Sequence, residues 1–333
     1  MALELRRERF SAEILDPRAG FERVRTPFEI RWDPLTGQSC RVLPEGSFPP
    51  PARHDLVRLA AETRPSCPFC AGRIEEKTPR LPPEVDPDGR IRVGEALLFP
   101  NLAPYAKWSS VSVYSPHRHV LSLDELTPQL LGDNLAAQVE FLRAVRAHDP
   151  DSAWPAVNAN HLPPAGSSIF HPHLQGSANP RPTTLQRLLA GVEPARVGEY
   201  LALEQDAGER LVASAGGVVW LASFAPLGPG ELRAFVPEAS SPDDLDEATV
   251  GELARGISSA LSVYDGLGFE SFNLALYGMP AGRPLELRLV ARAYYGDALR
   301  SDAMWSERLH WEGAVDVAPE RLAGLARDAW NQS

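Results

Sequence analysis

The chain has 333 residues, 44% hydrophobic and 23% charged, which is the composition of a folded globular protein. Its formal net charge of −11 repels polyanions, so nucleic acid is not the expected partner, and a small nucleotide needs only a local basic cluster such as Arg31 or Arg181. No run is long and uncharged enough to span a bilayer, the N-terminus lacks a signal-peptide core, and three cysteines make no disulfide framework, so the expected compartment is the cytoplasm.

Residues 11–93 are proline-rich, with Phe48-Pro49-Pro50-Pro51 and Leu81-Pro82-Pro83 as breakers, and predict long ordered loops. Within them Cys67-Pro68-Phe69-Cys70 has the spacing of half a zinc site. A redox pair or two buried small side chains are the alternatives, but Pro65, Pro68 and Gly72 suit a metal knuckle better than a thioredoxin helix. From residue 94 the pattern reads strand 94–99, strand 109–115, amphipathic helix 127–148, strand 153–159 and a strand containing His171. A helix over 184–206 follows. The same order then returns, with strands 217–224 and 231–237, a helix over 243–266, and strands 271–278 and 285–293.

Val111-Ser112-Val113-Tyr114-Ser115-Pro116 answers to Leu232-Arg233-Ala234-Phe235-Val236-Pro237, each followed by an acidic helix entry. This predicts a duplicated chain with halves at 1–183 and 184–333. Short connections favour a mostly antiparallel sheet, hence α+β. The second copy's last strand, Leu287 to Arg292, has no histidine, so the chemistry is expected in the first half.

That half holds Ser167-Ser168-Ile169-Phe170-His171-Pro172-His173-Leu174-Gln175. In an extended strand His171, His173 and Gln175 share a face, and Pro172, which donates no ladder bond, predicts a sheet edge or an opened segment. An isolated His-x-His is more often a metal pair or a surface strand. Here five of the eight histidines (His117, His119, His161, His171, His173) lie in one stretch. A polar loop from Asn158 to Gly166 precedes the motif and can bring main-chain N–H groups to an anion. Imidazole can attack phosphorus, and an amide can steady the oxygens left behind.

These residues resemble the active-site signature of the galactose-1-phosphate uridylyltransferase-like family, nucleotidyltransferases and phosphorylases of the histidine-triad superfamily. Arg31-Trp32-Asp33-Pro34-Leu35-Thr36 resembles its N-terminal segment and Cys67 to Gly72 its cysteine knuckle. Phe99-Pro100-Asn101 resembles its nucleoside-binding turn and Ser115-Pro116-His117-Arg118-His119 its Ser-Pro-x-His segment. The resemblance implies a histidine-triad-like duplicated α+β fold and a homodimer in which one subunit helps cover the other's site. It implies one structural zinc on Cys67, Cys70, His171 and either His119 or His117, with His119 the better match to the residues that follow. It further implies catalysis by His173, Gln175 and Ser168, nucleotide binding by Arg31, Asn101, Asn160, Gly166 and Ser167, and nucleotide sugar and sugar phosphate or phosphate as substrates.

Departures from the family narrow what carries over. Leu102 stands where the uridylyltransferases have an aspartate, no histidine lies between Tyr277 and Tyr294 for a second metal, and the glutamine that holds the sugar is missing near His310. The expected activity is nucleotidyl transfer through a covalent nucleotidyl-histidine. An adenylyl-type phosphorylase acting on an ADP-sugar or dinucleoside polyphosphate is the second reading, and a silent zinc-stabilised nucleotide binder the third.

Overall fold

A computed structural model describes residues 3–280, 282–297 and 302–332. The chain opens with β1 (Arg7–Asp16), β2 (Glu22–Trp32) and β3 (Ser39–Val42), followed by helices α1 (Leu56–Thr63) and α2 (Ile74–Lys77). The first repeat comprises β4 (Ile91–Val93), β5 (Ala96–Pro100), β6 (Trp108–Val113), α3 (Pro128–His148), β7 (Trp154–His161) and β8 (His173–Asn179). After α4 (Thr184–Ala190) and α5 (Pro194–Ala207) come β9 (Leu211–Ala215), β10 (Val218–Ala222), β11 (Leu232–Val236), α6 (Glu247–Gly266), β12 (Ser271–Tyr277) and β13 (Leu285–Arg292). The chain closes with β14 (Gly313–Val315) and α7 (Pro319–Trp330).

Ten strands form one antiparallel sheet in the order β4-β5-β6-β8-β7-β12-β13-β11-β10-β9. Read outward from the central β7–β12 pair, both halves run through equivalent strands in the same order, with α3 and α6 in equivalent places. The architecture is the expected α+β. The boundary at 183/184 falls in the connection after β8, although a second sheet, β1-β2-β3-β14, joins both sides of it because β14 pairs parallel with β3.

α3 starts where Thr127 accepts a hydrogen bond from the Leu130 N–H and Pro128 takes a first-turn position, and α6 starts where Asp246 does the same for Thr249. Both lay apolar faces, Leu131, Leu135, Phe141 and Leu142 on α3 and Leu253, Ile257 and Leu261 on α6, against one side of the large sheet. The opposite side of β7, β8, β12 and β13 is thereby left to Asn158, Gln175, Asn273 and Arg288. Within the core the Gln138 amide accepts from Ser110 Oγ at 2.9 Å and donates to Ser112 Oγ at 2.6 Å, crossing β8 at Gly176. Among the described residues no helix is long and apolar enough to cross a membrane.

Two sequence expectations need correction, and a third is narrowed to one of its alternatives. Residues 11–93 are not only loops, because β1 and β2 form a long hairpin. Nine of the ten β1 residues are exposed, so the segment has no apolar alternation to betray a strand. The helix over 184–206 is broken at Gly191 and resumes at Pro194, whose ring cannot continue a preceding turn. β8 lies inside the sheet rather than at an edge, and it begins at His173, so Pro172 ends an opened segment just before the ladder starts.

Candidate functional site

Cys67, Cys70, His119 and His171 are all buried, with one donor atom from each lying within 4.8 Å of the others. The Sγ of Cys70 is 3.3 Å from His119 Nδ1 and 3.6 Å from His171 Nδ1, and the Sγ of Cys67 is 3.7 Å from His171 Nδ1. A tetrahedral ion with two sulfur and two nitrogen ligands has S···N edges of about 3.6 Å, so the donor set fits a closed metal site. His117 is exposed and stands outside this cluster, whereas His119 is part of it.

The surroundings fix which nitrogen faces the sulfurs. His171 Nε2–H donates to the Ser115 carbonyl at 2.8 Å. Thr63 Oγ1 donates to the Leu59 carbonyl and accepts from His119 Nε2–H at 2.8 Å. Both Nδ1 lone pairs therefore point into the cluster. Burial pushes the Cys67 thiol up to about 11 and His171 down to about 4. A cation between them would reverse the penalty on the thiol. The knuckle is docked by the Ala71 N–H on the Pro116 carbonyl at 2.8 Å and by Arg73 Nε on the Cys67 carbonyl at 2.8 Å.

The same knuckle walls the second histidine. Phe69 stands edge-on to His173 with ring centroids 5.6 Å apart and also meets Phe99 and His171. His173 Nδ1–H donates to the His171 carbonyl at 2.8 Å. Burial holds the His173 imidazole below its ordinary pKa, and the bond to that carbonyl works the other way. The neutral ring thus keeps its proton on Nδ1 and presents the Nε2 lone pair, 3.3 Å from the Gln175 amide nitrogen.

Gln175 sits opposite Asn158 on β7, and Asn158 is opposite Ala275 on β12. Beside this row lies a cleft of about 990 Å³. Its floor is Asn158 and Asn160 of β7, Asn273 and Tyr277 of β12, and Arg288 and Arg292 of β13. Gly166, Thr36, Gln38 and Trp311 stand at its rim. Asn273 donates to Asn160 Oδ1 at 2.7 Å and to the Ala165 carbonyl at 2.9 Å, tying the loop before the motif to β12. That loop is strained at Leu162, a non-glycine residue at φ 64 and ψ 171, and turns at Gly166 with φ 87. Ser167 Oγ donates to the Ile169 carbonyl at 2.7 Å, and Ser168 is exposed.

On the other flank of β8, Asn101 follows β5, its amide N–H bonded to the Ser109 carbonyl and its Oδ1 accepting from Ala103. Arg31 is placed elsewhere. It is buried on β2, its guanidinium held by Glu29 and Glu320, and it does not line the cleft. Its neighbour Asp33 caps the turn that carries Thr36 and Gln38 to the rim, accepting from the Thr36 N–H at 2.7 Å. Sequence reasoning missed Thr63, Phe69 and Asn273, and read Asn158 only as the start of a polar loop, whereas it lies within β7. Only Phe69, inside the cysteine spacing, carried a local signal.

No protein-family model matches the sequence. An uncharacterized protein of Archaeoglobus fulgidus is 30% identical, with 99% of this chain and 100% of that protein covered. ADP-glucose phosphorylase of Arabidopsis thaliana is 27% identical over 68% of this chain and 72% of its own length. A solved structure of an ADP-glucose phosphorylase from Arabidopsis thaliana with bound ADP-glucose superposes with a TM-score of 0.67 at 20% identity, covering 90% of this chain and 97% of that one. A uridylyltransferase structure gives 0.61 at 20% identity over 91% and 98%. The chain thus shares the fold of a plant ADP-glucose phosphorylase and of a uridylyltransferase.

Proposed function

We propose that the protein transfers a nucleoside monophosphate between phosphorylated substrates through a covalent intermediate on His173. The observation that carries this reading is the bond from His173 Nδ1–H to the His171 carbonyl, because it leaves Nε2 unprotonated, buried and beside the Gln175 amide. The Nε2 lone pair attacks the α-phosphorus of a nucleoside diphosphate sugar while the bond from that phosphorus to the bridging oxygen breaks. The sugar phosphate leaves with the electron pair. The Nδ1–H stays on the His171 carbonyl and spreads the positive charge of the intermediate. An acceptor phosphate oxygen then attacks the same phosphorus and releases Nε2. The Gln175 amide, with Ser168, meets the non-bridging oxygens as charge grows on them. A phosphate leaving group departs unprotonated, so no general acid is required.

In this reading Asn101 and Leu102 lie on the nucleoside side of His173, while Asn160, Gly166 and Ser167 receive the phosphates at the mouth of the cleft. Zinc is the ion we assign to the Cys67, Cys70, His119 and His171 cluster. Held by these four residues it would supply rigidity to the Ser115 and His171 segments, and the transfer would require no group from it.

The donor is a UDP-sugar and the acceptor a sugar 1-phosphate if the chain works as a uridylyltransferase. An adenylyl-type phosphorylase, with inorganic phosphate as acceptor and an ADP-sugar as donor, is the second reading. It is favoured by Leu102 in place of the aspartate and by the similarity to a plant ADP-glucose phosphorylase. Intact-mass measurement after mixing with UDP-glucose or ADP-glucose separates them. The expected adduct is one nucleoside monophosphate, and its mass names the base. No adduct with either donor, in protein that carries its zinc, favours a silent binder instead.

A further inference from the structure

A line of polar side chains crosses from the second half of the sheet to the first, and each member can bond in only one sense. At its far end Asp302 accepts from Arg292 Nε at 2.8 Å and from the Ala293 N–H at 2.7 Å. Arg292 stands opposite Ser271, diagonal to Asn273, and gives its Nη1 to Asn273 Oδ1 at 3.2 Å. A guanidinium has only donors, so the Asn273 amide turns its oxygen to β13 and its nitrogen to β7. That nitrogen donates to Asn160 Oδ1 at 2.7 Å and to the Ala165 carbonyl, which can only accept, at 2.9 Å. Asn160 is thereby fixed as well. Its oxygen is taken by Asn273, and its own side-chain N–H groups meet no partner among the described residues although it stands on the cleft floor. Asn158 is opposite Gln175 and Ala159 opposite Leu174, so the next step along β7 brings Asn160 level with His173.

We propose that Asn273, in the half without the nucleophile, is a positioning residue for the transfer: with Arg292 behind it, it holds the Asn160 amide so that N–H groups rather than the oxygen meet the phosphates of the donor. This rests on the reading of Asn160 as a phosphate ligand beside His173. As the bond from Nε2 to phosphorus forms and the bond to the leaving phosphate breaks, negative charge grows on the departing oxygens, and N–H groups already in place stabilise it without reorganising. An unheld asparagine amide can turn over. In the reversed sense it sets Oδ1, which has no proton to give, against an anion. Every bond in the line from Arg292 to Asn160 has its donor on the Arg292 side, so each amide polarises the next and the last free donors face the cleft. The second half thus acts on the first half's chemistry through the β7–β12 pair, without a reacting group of its own.

The test is the rate at which the full chain is loaded by saturating UDP-glucose or ADP-glucose, whichever gives the nucleoside-monophosphate adduct, followed by intact mass. Asn273→Asp keeps the shape and still accepts from Arg292, but donates neither to Asn160 nor to the Ala165 carbonyl, so the Asn160 amide turns over to donate to it. Loading is expected to slow about 10²-fold, the scale of one lost oxyanion donor, with metal content and circular dichroism unchanged. Asn273→Ala, which adds no charge, is expected to slow loading by less. The deciding comparison is made in Asn160→Ala, where adding Asn273→Ala is expected to slow loading no further, because no amide is left to orient. A residue that merely braces the Ala165 turn would slow loading by the same factor in either background. Loading at the unmodified rate in both variants at 273, normal loading in Asn160→Ala, or losses that multiply in the double variant overturns the proposal. An unmodified chain that forms no adduct with either donor removes the reading of His173 as the nucleophile and the proposal with it, an outcome distinct from the others because it appears before any substitution is made.

Discussion

One row of residues crosses the large sheet, and its two arms carry opposite chemistry. Outward from the central Asn158–Ala275 pair, the first arm gives Gln175 and then Val111, and the second gives Arg288 and then Arg233. Two residues earlier in each strand stand His173 and Glu286. On the second arm the charges are closed on one another. Arg233 Nε and Arg288 Nε both donate to Glu286, Arg233 Nη1 donates to Asp33 at 2.8 Å, and Arg288 Nη1 donates to Glu231 at 3.3 Å. Burial works against the charge on Asp33, but Arg233 and Arg288 outweigh it and hold its carboxyl below the usual range. On the first arm the metal cluster takes His171 and leaves His173 Nε2 without an acid or cation to hold it. The same backbone position therefore builds a core on one side and holds the proposed nucleophile on the other. The difference is whether a polar atom is consumed by its neighbours.

The largest expected effect separates the arms outright. His173→Gly should abolish turnover while leaving metal content, fold and thermal stability in place, and a preformed nucleoside phosphorimidazolide should restore part of the second half-reaction. Cys70→Ser acts on the same arm through the ion, so metal content, melting temperature and turnover should fall together. Near-normal turnover in His173→Gly, with metal and fold intact, would move the nucleophile elsewhere.

Glu286→Ala is the counterpart on the second arm. It leaves Arg233 and Arg288 buried side by side without their shared carboxylate, which should cost about 3–5 kcal/mol of stability by urea unfolding. Turnover per folded molecule should hold, because Glu286 touches none of the groups assigned to the transfer. Loss of turnover without loss of stability would show that the second arm shares in the chemistry.

How much of this was legible in the sequence follows the same divide. The Cys67, Cys70 and His171 set, the α3 and α6 helices and the core strands were readable, because ligand spacing and apolar periodicity are local. The partner of His173 Nδ1 was not. It depends on how Pro172 turns the chain back, which no local pattern shows. Arg31 was also illegible, since the carboxylate that occupies it, Glu320, lies 289 residues away. The β1–β2 ribbon escaped because a strand exposed on both faces has no period to read.

Gln175→Ala tests how finely the first arm is tuned. The fold should be unchanged, since the side chain is half-exposed and its described contact is with His173, and the barrier should rise by about 2–4 kcal/mol, the scale of one lost oxyanion donor. The deficit should appear in formation of the adduct as well as its breakdown, because the same oxygens bear charge in both steps.

The smallest effect concerns the residue that follows each arm, Gly176 after Gln175 and Leu289 after Arg288. Leu289 fills its place beneath the helix layer with an apolar side chain, whereas Gly176 has none because Gln138 of α3 lies across it. A Cβ at 176 would come 2.1 Å from Gln138 Oε1 and 2.5 Å from Ser110 Oγ, so the amide that bridges Ser110 and Ser112 must move. Gly176→Ala should therefore cost about 1–3 kcal/mol of stability and lower turnover modestly, by shifting β8 under Gln175. Adding Gln138→Ala should relieve the clash, so the double variant should be less destabilised than the sum of the two single ones. Additive losses would mean that Gln138 does not set the height of β8, and that the precision of the first arm comes from the metal cluster alone.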